Sequence, residues 1–427
     1  MITARAFAGK RYAVYGLARS GLATAAALIA SGAEVTAWDA KEEARAKAPA
    51  GTRIANLDEA DLSQFDSLLV TPGLPLNRHP IAQRARDAGV EIIGDIELFA
   101  RARPELPPHD VVGITGTNGK STTTALIHHI LKTAGVPTEM GGNIGLPILA
   151  QAPLPEGGVY VLELSSYQID LTQSLDCDVA VLLNITPDHL DRYESYEAYA
   201  ASKKRLFEMQ APEHCSLWGG QSPPGWSNLV ADGKDWVAYF NDIVVRDEDQ
   251  SKWPSLQGPH NLQNAKAATA VCLALDIPAK FIIEGERTYP GLPHRMERIR
   301  EKDGVLFVND SKATNPTATA PALAAFDRIR WICGGQAKTD NLNECAPHFG
   351  HVAKAYTIGE ASELFAGLLS RHMTVAKCET LERAVGAAAM EAEAGETVLL
   401  SPACASFDQF RDFEDRGDQF RALVGDL

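Results

Sequence analysis

Residues 111–122 constrain the fold of this chain more than any other stretch. They read Val-Val-Gly-Ile-Thr-Gly-Thr-Asn-Gly-Lys-Ser-Thr, an apolar run followed by a loop with Gly116 and Gly119 and then by Lys120 and Ser121. Apolar residues at helical spacing come next. This order predicts a strand that enters a glycine-bearing loop and then a helix, which is typical of a phosphate-binding loop in an α/β sheet.

The chemistry of the loop favours a nucleoside triphosphate as its ligand. Glycines let the backbone turn its N–H groups towards phosphate oxygens, Lys120 can reach the outer phosphates, and Ser121 can bind magnesium. The strict G-x-x-x-x-G-K-[ST] pattern begins with glycine, whereas this chain has Ile114 there. The alternative interpretation is a strand-to-helix turn that binds nothing.

Composition narrows the class of protein. A length of 427 residues favours two or three domains, and a net charge of −15 argues against nucleic-acid binding, which needs clustered Lys and Arg. No apolar window is long enough to span a membrane. The seven cysteines never form C-x-x-C, so neither a disulfide framework nor a structural zinc site is expected. We expect a cytoplasmic protein without a membrane or nucleic-acid partner.

Strand and helix patterns alternate along the chain, which predicts parallel sheets with helices on both faces. The proline-rich stretch 103–108 marks a break, and the turn formers of 219–259 predict loops and short strands. We therefore predict an α/β fold with three domains. These are a Rossmann-like N-terminal domain over residues 1–98, a central P-loop ATPase-type domain over 99–291 and a C-terminal Rossmann-like α/β domain over 292–427.

Polar residues at the ends of the predicted central strands are candidates for the site, because α/β sheets bind ligands at their carboxyl edges. Glu163 lies inside an otherwise apolar strand and is costly to bury without a partner. A nucleotide-bound magnesium ion would serve, and so would a buried Lys or Arg. After the next strand, His189 lies between Asp188 and Asp191, which favours a metal or phosphate role over the structural role of most histidines.

Two further residues have simple structural interpretations. Lys203 shares a largely apolar helical stripe with Tyr199 and Phe207, and the sequence alone favours a lysine that lies along the protein surface with its stem buried. Asn143 lies in a glycine-rich loop, where its amide could contact a ligand or belong to an ordinary turn.

Taken together, these motifs resemble those of the ATP-dependent Mur ligases of peptidoglycan synthesis. The resemblance spans almost the whole chain and is closest to the branch of the family that joins D-glutamate to UDP-N-acetylmuramoyl-L-alanine. The matching motifs follow the family's order: the phosphate loop, Glu163, Asp188-His189, His-Asn-Leu-Gln-Asn-Ala at 260–265, Gly-Leu-Pro-His-Arg at 291–295, Asn-Asp-Ser-Lys-Ala-Thr-Asn at 309–315 and Ser-Pro-Ala-Cys-Ala-Ser-Phe-Asp-Gln-Phe at 401–410.

The resemblance implies two magnesium ions beside the nucleotide. The first is expected on Ser121 and Glu163, and the second on His189 and Lys203. In the family, the lysine that matches Lys203 is carbamylated, which converts a cation into a carboxylate-like ligand. This implication reverses the simpler expectation of a surface lysine.

The resemblance also assigns residues to ATP and to catalysis. Asn264 is expected at the adenine, Asp310 at the ribose and Arg295 at the terminal phosphate. The expected nucleotide contacts are Gly116, Thr117, Asn118, Gly119, Lys120, Ser121, Thr122, Asn264, Arg295 and Asp310. The expected catalytic residues are Lys120, His189, Lys203 and Arg295.

The other two substrates have expected residues as well. Asn143 would contact the muramoyl-alanine end of the acceptor. A lysine with hydroxyl groups suits an amino acid that carries two carboxylates, and the residues expected at glutamate are Thr314, Lys338, Ser406 and Phe413. The N-terminal domain would bind the uridine diphosphate through Arg19, Ser20, Asp39, Lys41, Thr71, Pro72 and Gly73.

The N-terminal glycine pattern disfavours NAD. Ala18 lies between Gly16 and Gly21, so the G-x-G-x-x-G motif lacks the middle glycine that lets a dinucleotide pyrophosphate approach.

The resemblance implies a reaction in which the alanine carboxylate is activated as an acyl phosphate, which glutamate then attacks. It also implies that the protein is a cytoplasmic monomer that supports cell-wall synthesis, cell shape and cell division. The alternatives are a ligase for another amino acid such as L-glutamate, a folylpolyglutamate synthetase, a P-loop ATPase that drives motion, and a non-catalytic UDP-sugar sensor.

Overall fold

The computed structural model describes residues 1–188, 192–220, 237–239 and 250–427. Its strands form three sheets. The described residues within 1–247 and 263–285 form one compact unit, which contains the first two sheets, and those within 248–262 and 286–427 form a second unit, which contains the third. None of the described helices is long and apolar enough to cross a membrane. The predicted α/β class is confirmed, and the domain limits at residues 98 and 291 stay predictions.

The first sheet is wholly parallel. Its elements are β1 (Arg11–Tyr15), α1 (Arg19–Ala30), β2 (Glu34–Trp38), α2 (Glu42–Arg45), β3 (Arg53–Ile54), β4 (Ser67–Val70), α3 (Pro80–Asp87), β5 (Glu91–Ile93) and α4 (Asp95–Ala102). The strand order is β3-β2-β1-β4-β5. The loops after β1 and β4 therefore leave neighbouring strands in opposite directions, which is where open α/β sheets bind ligands.

The second sheet is parallel as well. Its elements, with the helices that follow, are β6 (His109–Thr115), α5 (Lys120–Thr133), β7 (Thr138–Gly142), β8 (Gly158–Glu163), α6 (Ser166–Asp170), β9 (Val179–Leu182), α7 (Tyr196–Glu208), β10 (Cys215–Trp218), β11 (Val237–Tyr239), α8 (Pro259–Ala274) and α9 (Ala279–Thr288). The order β11-β10-β9-β6-β8-β7 puts β6 between β8 and β9. The carboxyl ends of β9, β6 and β8 therefore lie side by side.

The third sheet has one antiparallel edge, where β12 pairs with β13. Its elements are β12 (Glu297–Lys302), β13 (Val305–Asn309), α10 (Pro316–Ala324), β14 (Ile329–Gly334), β15 (Val352–Ile358), α11 (Ser362–Leu369), β16 (Thr374–Glu379), α12 (Leu381–Glu391), β17 (Thr397–Leu400) and α13 (Phe413–Gly425). The order is β12-β13-β17-β14-β15-β16.

One hydrophobic core cluster includes residues of both of the first two sheets and reaches from Ile2 to Trp218, and a second cluster, which includes Ala13 and Leu68, packs on the first sheet. Helix α4 belongs to the first cluster, and seven of its eight residues are buried. Its one deeply buried glutamate, Glu97, is satisfied because it pairs with Arg101 at 2.9 Å and accepts from the backbone N–H groups of Gln173 and Ser174 at 2.7 and 2.9 Å. The predicted domain limit at residue 98 falls inside this helix.

Candidate functional site

The predicted phosphate loop joins β6 to α5. Gly116 has φ 150° and Gly119 has φ 87°, and Gly119 is the residue that caps the N-terminus of α5. A Cβ atom at Gly119 would lie 2.3 Å from Oδ1 of Asn264. Only glycine therefore fits at this position. The free N–H groups of the first turn of a helix, together with its dipole, form a binding site for anions.

Asn184, which sequence reasoning missed, holds the loop in place. Its Oδ1 accepts from the N–H of Asn118 at 2.9 Å, and its Nδ2 donates to the carbonyl of Asn118 at 3.1 Å. Its own carbonyl accepts from the N–H of Thr117 at 2.9 Å. The signal in the sequence was a polar residue shortly after the apolar strand β9.

Lys203 lies against the same loop. It is 2% exposed, which contradicts the interpretation of a lysine along the surface. Its Nζ donates to the carbonyl of Gly116 at 3.0 Å and lies 4.7 Å from the ring of Tyr199. Burial, reinforced by the charge of Lys120, lowers the pKa of Lys203 to about 7. A substantial fraction of this side chain is therefore a neutral amine near neutral pH.

Lys120 folds back over the loop that it follows. Its Nζ donates to the carbonyls of Gly116 and Thr117, each at 2.9 Å. The next residue, Ser121, is 6% exposed. Asn264 contacts the same helix, since its Oδ1 accepts from Oγ1 of Thr123 at 3.3 Å.

Glu163 ends β8, next to Ile114 of β6. Its Oε1 accepts from Nδ2 of Asn143 at 3.0 Å, and its carbonyl accepts from the N–H of Asn143 at 2.8 Å. Its Oε2 is buried and has no hydrogen-bond partner among the described residues. The alternative of a buried Lys or Arg partner thus finds no support in the part of the chain that the structure describes.

Asn143 lies in a loop as predicted, but this loop is shorter than the sequence suggested. Gly141 and Gly142 belong to the edge strand β7, and Asn143 is the first residue after it. A Cβ atom at Gly142 would lie 2.1 Å from the carbonyl oxygen of Glu163. This close approach explains why a glycine-rich segment can pair as a strand here.

The predicted histidine of the site, His189, lies outside the described residues, as does Asp191. Elsewhere in the described ranges, no group of three or more His, Cys, Asp or Glu side chains could hold a metal ion. Within the first unit, Lys203 and Asn264 lie against the loop 116–122, and Glu163, which Asn143 contacts, ends the strand beside β6, from which the loop leaves.

Arg295 and Asp310 lie together in the second unit. Asp310 is 4% exposed, and its carboxylate accepts from Oγ of Ser401 at 2.8 Å and from the N–H of Met296 at 3.2 Å. Burial raises the pKa of Asp310 to about 7. Nε of Arg295 is buried and has no hydrogen-bond partner among the described residues.

The predicted amino-acid residues also belong to the second unit. Nζ of Lys338 donates to Oγ1 of Thr314 at 3.2 Å, and Ser406 is 2% exposed. Phe413 begins α13, and its carbonyl accepts from Oγ of Ser311 at 2.8 Å.

Sequence reasoning missed Arg416, which is fully buried. Its guanidinium donates to Oγ and the carbonyl of Ser311 at 2.9 and 2.8 Å and to the carbonyls of Cys404 and Ala405 at 3.1 and 3.3 Å. It therefore ties the 309–315 motif to the 401–410 motif.

The predicted uridine residues surround the loops after β1, β2 and β4. A Cβ atom at Gly16 would lie 2.5 Å from Oγ1 of Thr71. The carboxylate of Asp39 accepts from the N–H groups of Leu17 and Lys41 at 2.8 and 2.9 Å. Ser20 and Thr71 line one small cavity of about 10 Å³.

Two arginines connect the loops after β1 and β4 with segments that follow strands of the second sheet. Nη2 of Arg19 donates to the carbonyl of Gly145 at 2.9 Å. Arg192 donates to the carbonyls of Pro72, Gly73 and Leu74 at 3.3, 3.3 and 2.9 Å.

Solved structures support the architecture. The UDP-N-acetylmuramate-alanine ligase of Thermotoga maritima aligns over 98% of this chain and 99% of its own, with a TM-score of 0.59 at 16% identity. A MurF ligase of the same organism, in complex with ADP, gives the same coverage, TM-score and identity. At this identity the likeness concerns the fold alone.

Sequence comparison is more specific. Family models match at residues 10–94 (Mur ligase MurD-like, N-terminal domain), 114–223 (Mur ligase middle domain) and 294–404 (Mur ligase, glutamate ligase domain). This chain is 58% and 57% identical to two proteins named UDP-N-acetylmuramoylalanine--D-glutamate ligase, from Novosphingobium aromaticivorans and Sphingopyxis alaskensis respectively. The alignments cover 99% of this chain in both cases and 96% and 99% of the relatives. The chain belongs to the Mur ligase family.

Proposed function

We propose that this chain is the ATP-dependent ligase that joins UDP-N-acetylmuramoyl-L-alanine to D-glutamate, a step in the synthesis of peptidoglycan precursors. The identity of 53% or more to three relatives of that name, over almost their whole length, supports this substrate pair. In the structure, the observation that carries the proposal is the buried Oε2 of Glu163, which has no hydrogen-bond partner among the described residues and lies beside the predicted phosphate loop.

The residues around the loop fit a magnesium nucleotide. Glu163 needs a cation, and hard oxygen ligands suit Mg²⁺, which usually keeps phosphate oxygens and water among its ligands. Ser121 and Glu163 would hold a first ion, and His189 and Lys203 a second. When bound, magnesium neutralises charge on the transferred phosphoryl group.

A carboxylate does not react with an amine directly, because it repels nucleophiles and has a poor leaving group. The alanine carboxylate attacks the γ-phosphorus of ATP, the bond to the bridging oxygen breaks, and ADP leaves. The deprotonated amine of glutamate adds to the resulting acyl phosphate, and the tetrahedral intermediate releases phosphate as the amide forms. No protein nucleophile is required. Lys120 and Arg295 bind and orient the γ-phosphoryl group and balance its charge.

Lys203 acts as a carbamate in this proposal. Its low pKa leaves a neutral amine, which attacks CO₂ and loses a proton to give an anionic carbamate. The modification replaces the repulsion between two lysines with an attraction. It also supplies the oxygen ligands that a second magnesium ion needs.

The remaining substrates occupy the predicted residues of the two units. Glutamate binds at Thr314, Lys338, Ser406 and Phe413, and the uridine diphosphate binds at the loops after β1, β2 and β4, with Asn143 at the muramoyl-alanine end. We place the protein in the cytoplasm as a monomer. The seven free cysteines suit a reducing compartment.

One assay tests the function. Phosphate release is measured with ATP, UDP-N-acetylmuramoyl-L-alanine and either D- or L-glutamate. We expect release with the D enantiomer only, together with a product heavier by one glutamate residue. Release without any amino acid would support a motor ATPase, release with L-glutamate another ligase, and no release a sensor, and each of these results would overturn the proposal.

A further inference from the structure

The backbone on both sides of Arg295 is strained. His294 has φ 60° and Met296 has φ 49°, although neither is glycine. The left-handed region is unfavourable for such residues, so surrounding contacts must hold this conformation. Arg295 thus stands in a turn whose shape depends on its neighbours.

Two carboxylates hold the turn, one on each side. Oε2 of Glu297 accepts from the N–H of His294 at 2.9 Å, and Asp310 accepts from the N–H of Met296 at 3.2 Å. Oε2 of Glu297 also accepts from Nδ2 of Asn309 at 3.1 Å. The turn is therefore fixed to the end of β13, which leads to the predicted ribose residue Asp310.

Residues of helix α13 fix the side chain of Glu297. Nη2 of Arg421 lies 2.7 Å from Oε1 and 3.0 Å from Oε2 of Glu297. One turn earlier, Gly417 packs against the ring of His294 so closely that a Cβ atom there would lie 2.1 Å from Nδ1. The carbonyl of Gly417 accepts from Nδ2 of Asn309 at 3.1 Å.

We propose that Glu297 is a positioning residue that, with Arg421, fixes the strained turn 294–296 and so sets the orientation of the Arg295 side chain, on which its role in phosphoryl transfer depends. The inference rests on the role proposed above for Arg295. Phosphoryl transfer depends on placement to within a fraction of an ångström, so a relaxed turn lowers the rate without removing the charge of Arg295.

A double-mutant cycle tests this role through the turnover number for phosphate release. Glu297→Gln keeps the shape of the side chain but presents an NH₂ group to neighbours that are all donors. We expect Glu297→Gln to lower kcat about tenfold when it is the only substitution. In the Arg295→Ala background we expect Glu297→Gln to change kcat by less than about twofold, because residues that act through one another are not additive.

Glu301→Gln is the matched control, since Glu301 lies on the same strand, is exposed, and its ion pair with Arg298 is 3.9 Å long. We expect it to leave kcat unchanged. Arg421→Gln provides a milder variant for the same cycle if Glu297→Gln does not fold, with an expected loss of several-fold.

If Glu297→Gln lowers kcat by the same factor in the wild-type and Arg295→Ala proteins, Glu297 acts independently of Arg295 and the inference is overturned. A wild-type kcat in the Glu297→Gln variant would also overturn it. Natural kcat in Arg295→Ala alone would instead refute the role of Arg295 itself. The two failures are thus distinguishable.

Discussion

The side-chain Nζ atoms of Lys120 and Lys203 donate to one acceptor, the carbonyl oxygen of Gly116, at 2.9 and 3.0 Å. Two like charges on a single carbonyl repel one another, and burial of Lys203 adds a desolvation cost. Protonation of Lys203 is therefore unfavourable in the folded protein. This relationship links the phosphate loop to the modification that we propose.

Replacement of the buried lysine tests the carbamate. We expect Lys203→Ala to lose at least about 100-fold in kcat, because a metal ligand disappears, and millimolar acetate or propionate to restore part of it by supplying a carboxylate. Phosphate release measures both. Lys204→Ala is the control, since this neighbouring lysine is only partly buried and pairs with Glu208 at 3.9 Å. Full activity of Lys203→Ala without added acid would refute the assignment.

The same residue gives stability a pH dependence in CO₂-free buffer. The pKa of Lys203 falls from an ordinary value of 10.5 to about 7 on folding, so between these values the unfolded chain binds more protons and stability rises with pH. Lys203→Met removes this penalty. We expect the variant to melt several degrees above the natural protein at pH 7 and the difference to shrink towards pH 10. Calorimetry at matched pH measures it, and a constant difference would contradict the shifted pKa.

Part of this arrangement was predictable from sequence. The alternation of strand and helix patterns predicted the parallel sheets, and the order of residues 111–122 predicted a strand, a loop and a helix, which are β6, the loop with Gly116 and Gly119, and the start of α5. Strand β7 was missed because Gly141 and Gly142 are poor strand formers, and its pairing depends on the close approach to β8. Edge strand β12 reads Glu-Arg-Ile-Arg-Glu-Lys and carries almost no apolar signal.

The site was predictable in its motifs and less so in its electrostatics. Helical spacing placed Lys203 on an apolar stripe, but its burial depends on contact with Gly116, which is 87 residues away. The support from Asn184 and Arg416 depends on equally distant contacts, which periodicity does not reveal. Local sequence patterns thus identified the motifs of the site, whereas the charge state of Lys203 depends on tertiary contacts that those patterns do not show.

Glu163→Gln separates stability from function. Because Oε2 has no hydrogen-bond partner within the described parts of the chain, removal of this buried charge should leave the metal-free protein at least as stable as before. We expect activity to fall at least about 100-fold, because the neutral amide binds magnesium weakly. Thermal melts with EDTA and phosphate release at rising Mg²⁺ measure the two effects. Glu139→Gln, at an exposed position of β7, is the control, and a large loss of stability in Glu163→Gln would show that the carboxylate is structural.

Gly119→Ala tests whether the loop itself binds the nucleotide. The residue has φ 87°, and its new Cβ would lie 2.3 Å from Oδ1 of Asn264. Gly135→Ala is a matched control, because Gly135 follows the other end of α5 with φ 78° and has open space around it. Both variants should lose about 1 kcal/mol of unfolding free energy from backbone strain. We expect only Gly119→Ala to weaken ATP binding, by at least about tenfold in isothermal titration calorimetry, because the collision displaces the cap of α5. Equal ATP affinity in the two variants would exclude the loop as the phosphate site.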